Sequence, residues 1–72
     1  MKVRLTAFKG EFISKDIIDV SETEGSGVIN YFLKDYFGKE SHSTFKRTGH
    51  YEPCGKGLVP IYELIEYNGR PV

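Results

Sequence analysis

The stretch VINYFLKDYF, residues 28 to 37, decides the fold class that this sequence predicts. Its apolar side chains stand at positions 28, 29, 32, 33, 36 and 37, a spacing that places them on one broad face of a helix. Ser26 is a suitable N-cap, and Gly38 is a suitable residue to end the helix. The segment 28–37 therefore predicts a helix whose wide apolar face needs cover on two sides.

The segments on either side of this helix predict strands. KVRLTAF alternates apolar and polar residues, and Lys9-Gly10 offers a tight turn after it. STFKRTGHY and LVPIYELIEY are rich in β-branched and aromatic residues. The predicted order is ββαββ, an α+β fold with one amphipathic helix packed on a mostly antiparallel sheet. The single domain, 1–72, divides into an N-terminal hairpin at 1–20, a loop at 21–27, the helix, and a C-terminal hairpin at 43–67 with a loop at 52–57.

Chain length and cysteine content limit how this domain can be stabilised. A core built from 72 residues supplies only about 3–5 kcal/mol. The single cysteine cannot form an internal disulfide, so homodimerisation is the expected source of further stability. The lone thiol, together with the lack of a signal-like or membrane-spanning apolar run, predicts a cytoplasmic protein that does not enter a membrane.

Charge is balanced overall but unevenly distributed. Ten basic and ten acidic side chains give a net charge of zero. Residues 11–24 hold five acids and one lysine, a net −4, whereas residues 39–57 hold four basic and two acidic side chains, a net +2. A protein that binds a polyanion usually has a basic excess. The balance therefore argues against nucleic-acid binding without excluding a local basic patch.

The segment FKRTGHYEPCGKG, residues 45 to 57, holds most of the side chains that could carry chemistry. Cys54 and His50 could pair as nucleophile and base, but nothing in the sequence provides an orienting third group or a pKa-lowering helix. His42, His50, Glu52 and Cys54 lack the paired spacing of a zinc site. The glycines also miss the spacing of a phosphate-binding loop. We therefore predict a protein that is not an enzyme and has no metal or cofactor.

Two binding functions remain. The favoured one is a regulator or inhibitor that binds another protein through an aromatic-rich surface, with acidic residues of 11–24 steering a basic partner. Its predicted contacts are Tyr31, Tyr36, Phe37, Tyr62 and Tyr67. The alternative is a nucleic-acid-binding module in which rings stack on bases and cations meet phosphates. Its predicted contacts are Lys46, Arg47, Tyr51 and Lys56.

Overall fold

The computed structural model describes residues 1–7, 12–14, 16–23, 27–36 and 39–71. Seven strands make up the regular structure of these residues, and no helix occurs among them. The strands are β1 Lys2–Thr6, β2 Ile18–Asp19, β3 Glu22–Thr23, β4 Val28–Tyr36, β5 Lys39–Cys54, β6 Gly57–Tyr67 and β7 Arg70–Pro71.

The helix predicted at 28–37 is wrong, and with it the α+β class and the ββαββ order. The segment Val28–Tyr36 is strand β4, paired antiparallel with β5. The helical spacing coexists with a two-residue alternation in which Ile29 and Leu33 point into the core and Asn30 is exposed. β-branched and aromatic side chains favour this extended form. Ser26, Phe37 and Gly38, which were to contribute to the helix and its ends, lie outside the described residues.

The strands form one curled, mixed sheet that resembles half of a barrel. Its order is β2-β1-β6-β5-β4-β3, with β7 paired to β6 beside this path. Strand β1 runs parallel to β6, with Leu5 opposite Tyr62, and the other described strand pairs are antiparallel. The first strand therefore joins the sheet next to a strand that lies more than 50 residues later in the chain.

One face of the sheet, called here the inner face, carries the core. Paired residues share a face, so the pairs Leu5–Tyr62, Phe45–Leu64 and Ile29–Phe45 place these side chains together. Phe45, Tyr62 and Ile29 are each 0% exposed. Ile13 and Ile18, from the segment between β1 and β3, pack against this cluster. Burial of large rings and branched aliphatic groups, worth roughly 1.5–3 kcal/mol each, is the main stabilising term.

The opposite, outer face is open over most of its described area, although Thr6, next to Phe12, is only 3% exposed. It carries the register pairs Thr6–Glu63, Lys46–Glu63 and Val28–Lys46. Phe32 and His42 meet edge-to-face on the same side, with ring centroids 5.2 Å apart. Phe32 remains 40% exposed. The outer face therefore mixes charged groups with exposed rings.

The end of β6 turns back into β7 through Asn68-Gly69. Both residues have positive φ, 52° and 79°, as a two-residue hairpin turn of this sequence requires. The Asn68 amide N–H donates to the His42 carbonyl at 2.8 Å, and its side-chain oxygen accepts from the His42 N–H at 3.2 Å. These two hydrogen bonds hold the turn against β5. In the described part of the chain there is no helix long and apolar enough to cross a membrane.

Candidate functional site

Residues 48–60 form an extension of the β5–β6 hairpin, which we call the arm. Strand β5 makes its last pair with β4 at Lys46, and β6 pairs with β1 only from Ile61 onward. Between these points the two strands pair with each other, from Tyr51–Pro60 to Cys54–Gly57. In the described residues, the arm is therefore a two-stranded ribbon that extends beyond the rest of the sheet.

Two glycines shape the arm. Between the pairs Arg47–Tyr62 and Tyr51–Pro60, β5 contains two more residues than β6, and Gly49 within this bulge has a φ of 89°. A bulge bends the strand and increases its twist. At the tip, the chain reverses over Gly55-Lys56, where Gly55 has a φ of 59°. Glycine adopts these angles without the steric cost that a side chain would add.

The arm exposes the residue types that the nucleic-acid alternative requires. Tyr51 is 53% exposed at the middle of the ribbon, and Leu58 near the tip is 65% exposed. Lys56 is exposed in the tip turn, and Lys46 is exposed where the arm leaves the sheet. The predicted contacts Lys46, Tyr51 and Lys56 therefore follow one another along one ribbon. Lys46 and Tyr51 lie on opposite faces of it, because their register partners Glu63 and Pro60 are three residues apart on β6.

Arg47, the fourth predicted nucleic-acid contact, is positioned by the core. Its Nε and Nη2 donate to the Tyr62 hydroxyl at 3.2 Å and 3.0 Å. Its guanidinium carbon lies 5.6 Å from the centroid of the same ring. A planar cation held in this way loses little further freedom when it binds an anion. Arg47 therefore joins the buried ring of Tyr62 to the start of the arm.

An ion pair that the sequence did not reveal ties the arm to β1. Arg4 Nε donates to Glu52 Oε2 at 2.8 Å, and the two side chains are only 16% and 27% exposed. Arg4 also donates to the Ser14 carbonyl at 2.9 Å and lies 5.4 Å from the centroid of the Phe12 ring. Since the partners are 48 residues apart, only the parallel β1–β6 pairing brings them together. Arg4 therefore neutralises the negative charge of Glu52 in the arm.

The aromatic residues predicted to contact a protein partner are placed differently. Tyr62 is 0% exposed and belongs to the core, so its ring has no surface to offer. Tyr31 and Tyr67 are partly buried and pack against the same core. The side chain of Tyr36 and the whole of Phe37 lie outside the described residues. The five side chains therefore do not form one exposed surface within the described chain, and their role in partner binding stays a prediction.

Of the groups considered for catalysis or metal binding, three are exposed, and Glu52 is half-buried in its ion pair with Arg4. Cys54 ends β5 as a free, exposed thiol, and His50 is exposed within the bulge. Among the described residues, no three His, Cys, Asp or Glu side chains gather where they could hold a metal ion.

Comparison with known proteins adds no functional assignment. No family model, curated protein or solved structure matches this chain. The arrangement of its own residues must therefore carry the functional argument. That arrangement contains two features, the exposed arm and the open outer face beside it.

Proposed function

We propose that the protein binds single-stranded nucleic acid, with the arm as the principal contact. The observation that carries the proposal is the order of exposed groups along one ribbon, from Lys46 through Tyr51 to Lys56. Lysine side chains meet phosphates, and an exposed ring stacks on an unpaired base. A two-stranded ribbon is also an established shape for contacts with nucleic acid.

The local charge supports this proposal better than the net charge of zero indicates. Glu52 is ion-paired with Arg4, so it does not compensate the cations of the arm. The acid Asp19 is bound to the N-terminal ammonium at 2.7 Å on β2, which is separated from β5 by β1 and β6. Glu63 is the register partner of Lys46, so the positive charge of the hairpin that no described acid adjoins lies toward Lys56 at the tip of the arm.

Single strands fit the arm better than duplexes for a steric reason. The face of the Tyr51 ring can reach a base only if that base is not already stacked between neighbours in a duplex. Each such stack is worth roughly 1–3 kcal/mol, more than one exposed charge contributes. We therefore expect the protein to prefer single-stranded over double-stranded oligonucleotides of the same composition.

The proposal is tested by fluorescence anisotropy with a labelled oligothymidylate of about 12 nucleotides, inside the range of known single-strand sites. Contacts from three cations predict that the logarithm of the association constant falls against the logarithm of salt concentration with a slope of about −2. Lys56→Gln removes one of these contacts and should make the slope shallower by about 0.7. Lys34→Gln removes the same charge from an exposed position outside the arm and should leave the slope unchanged.

Two results would contradict the proposed function or its location on the arm. If the folded protein does not bind the oligonucleotide at low salt, the proposed function is wrong. If Lys34→Gln reduces the slope as much as Lys56→Gln does, the binding is general electrostatic attraction and the arm is not its site.

A second candidate function, binding to protein, is favoured by the exposed apolar groups. Phe12, Phe32 and Leu58 are 55%, 40% and 65% exposed, and large exposed side chains of this kind often anchor interfaces. This candidate retains the predicted regulator or inhibitor and its predicted self-association. Light scattering at high micromolar concentration tests the self-association, because a strict monomer of 8.2 kDa would contradict it.

A further inference from the structure

A cavity of about 490 Å³ lies on the outer face where the arm joins the sheet. This volume is within the range of small-molecule sites in proteins. Its lining combines apolar and ionisable side chains: Phe12, Lys46, His50, Ile61, Glu63 and Ile65. No residue predicted to act in protein binding lines this cavity, and the nucleic-acid prediction includes only its basic rim.

The apolar part of the cavity suits a flat ring. Ile61 and Ile65 project from β6 on the outer face, and both are half-buried. Phe12 approaches from the segment that follows β1, and its ring is 55% exposed. The Arg4 guanidinium, itself bound to Glu52 and the Ser14 carbonyl, lies against this ring and helps to fix its position. A planar heterocycle can therefore pack between an aromatic ring and aliphatic side chains.

The polar part of the cavity presents a donor and an acceptor side by side on the outer face. Lys46 and Glu63 are register partners on β5 and β6, yet the described structure contains no ion pair between them. Glu63 is half-buried, with Thr6 as its other neighbour across the sheet. The Thr6 hydroxyl donates to the Tyr62 carbonyl, so it is not directed at Glu63. An ammonium and a carboxylate are thus both available to a ligand in the cavity.

We propose that this cavity binds a guanine base of the bound strand, an inference that rests on the proposed function and specifies where one base is read. A carboxylate only accepts hydrogen bonds. Guanine presents two adjacent donors on its Watson–Crick edge and two acceptors, O6 and N7, on its other edge. Glu63 accepts from the donors, while Lys46 donates to the acceptors. Phe12 and Ile61 pack against the faces of the guanine ring and fix its orientation.

The other bases match this pair of groups less well. Thymine and uracil place their single N–H between two carbonyl oxygens, which repel a carboxylate. Cytosine and adenine each offer the carboxylate one exocyclic amine beside a ring acceptor. A good two-bond contact discriminates between bases by at least about fivefold, and we expect a preference of about tenfold for guanine over thymine.

The experiment compares two short oligonucleotides, one of thymidine only and one with a single central guanine. Binding is measured by anisotropy, and the isotope-labelled methyl groups of Ile61 and Ile65 are followed by nuclear magnetic resonance. Glu63→Gln should abolish the guanine preference, because an amide replaces one of the two acceptors with a donor. Glu66→Gln removes the same charge from an exposed position on the same strand, outside the cavity lining, and should retain the preference.

The outcomes separate this inference from the proposed function. A guanine preference that shifts the Ile61 and Ile65 methyls and disappears only in Glu63→Gln supports the inference. Equal binding of both oligonucleotides, with no methyl shifts, overturns the inference and leaves the proposed function standing. If neither oligonucleotide binds, both are wrong. The methyl spectrum of each variant shows independently whether it has folded.

Discussion

The β5–β6 hairpin is built from two regions that use the same residue types for opposite purposes. In residues 43–47 and 61–67, which we call the root, β5 is flanked by β4 and β6 by β1, and Phe45 and Tyr62 are 0% exposed. In the arm, where the strands pair only with each other, Tyr51 is 53% exposed and Leu58 is 65% exposed. Val59, also in the arm, is only 7% exposed. The face of the ribbon and the presence of a flanking strand, rather than residue type, therefore decide whether a side chain stabilises the fold or is available to a ligand.

The largest expected effect comes from removing a ring in the root. Tyr62→Ala deletes a fully buried side chain and the hydroxyl that holds Arg47, which should cost roughly 3–5 kcal/mol of unfolding free energy. That loss matches the whole stability expected of a domain this small, so the variant should be largely unfolded. Circular dichroism with urea titration measures it, and a cooperative transition near that of the parent chain would contradict the assigned core.

The matching change in the arm should affect binding while leaving the fold intact. Tyr51→Ala should weaken oligothymidylate binding by about 5- to 150-fold, the worth of one base–ring stack. Its unfolding free energy should stay within about 0.5 kcal/mol of the parent value, as is usual for exposed positions. Tyr51→Phe is the control and should bind normally, since a phenyl ring still stacks. A large loss of stability in Tyr51→Ala would remove the distinction between arm and root.

The ion pair between Arg4 and Glu52 connects the two regions and should give an intermediate effect. Glu52→Gln should lower the unfolding free energy by about 1 kcal/mol or less, because both side chains still reach solvent. The same change releases the Arg4 charge near the arm and should slightly strengthen oligonucleotide binding at low salt. Thermal unfolding tests for the lower stability, and anisotropy on the same preparation tests for the stronger oligonucleotide binding. Weaker binding would indicate that the pair instead holds the arm in its binding geometry.

The smallest effect is expected at β2, far from the arm in strand order. The N-terminal ammonium donates to the Asp19 carboxylate and, with a lesser contribution from Lys2, lowers the pKa of Asp19 below its usual 3.8. A lowered pKa stabilises the fold fully above that value, and the contribution is lost as the pH falls through the folded-state pKa. Asp19→Asn should therefore flatten the dependence of the thermal midpoint on pH below about 4. An unchanged profile would show that the contact has no energetic role in solution.

The sequence allowed part of this account to be predicted, and the physical reasons for the rest are specific. The alternation of Val3 and Leu5 corresponds to β1, and the Asn68-Gly69 turn is encoded locally. The helix predicted at 28–37 is wrong because the apolar residues of this segment fit both helical and strand spacing. Pairing with β5, which the local pattern does not show, favours the strand. The parallel pairing of β1 with β6 depends on residues far apart in the chain, which no local pattern records.

The candidate site divides in the same way. Lys46, Tyr51 and Lys56 were predicted from their composition, and the structure shows all three exposed on the β5–β6 hairpin, the last two in the arm. Phe12 and Glu63 were missed as site residues, because only the folded sheet places them beside Lys46. Ile61 and Ile65 are four residues apart, which places them on one face of a strand, but a strand with two apolar faces does not reveal which face stays open.

The proposed division of the hairpin gives nucleic-acid binding to the arm and stability to the root. Backbone amide chemical shifts, recorded during titration with oligothymidylate at low salt, examine both parts at once. The largest shift changes are expected within residues 46–58, including the tip at Lys56, while the amide signals of β1 and of Ile29 to Leu33 in β4 should hardly move. Changes centred on β4, or no changes at saturating oligonucleotide, would contradict this division.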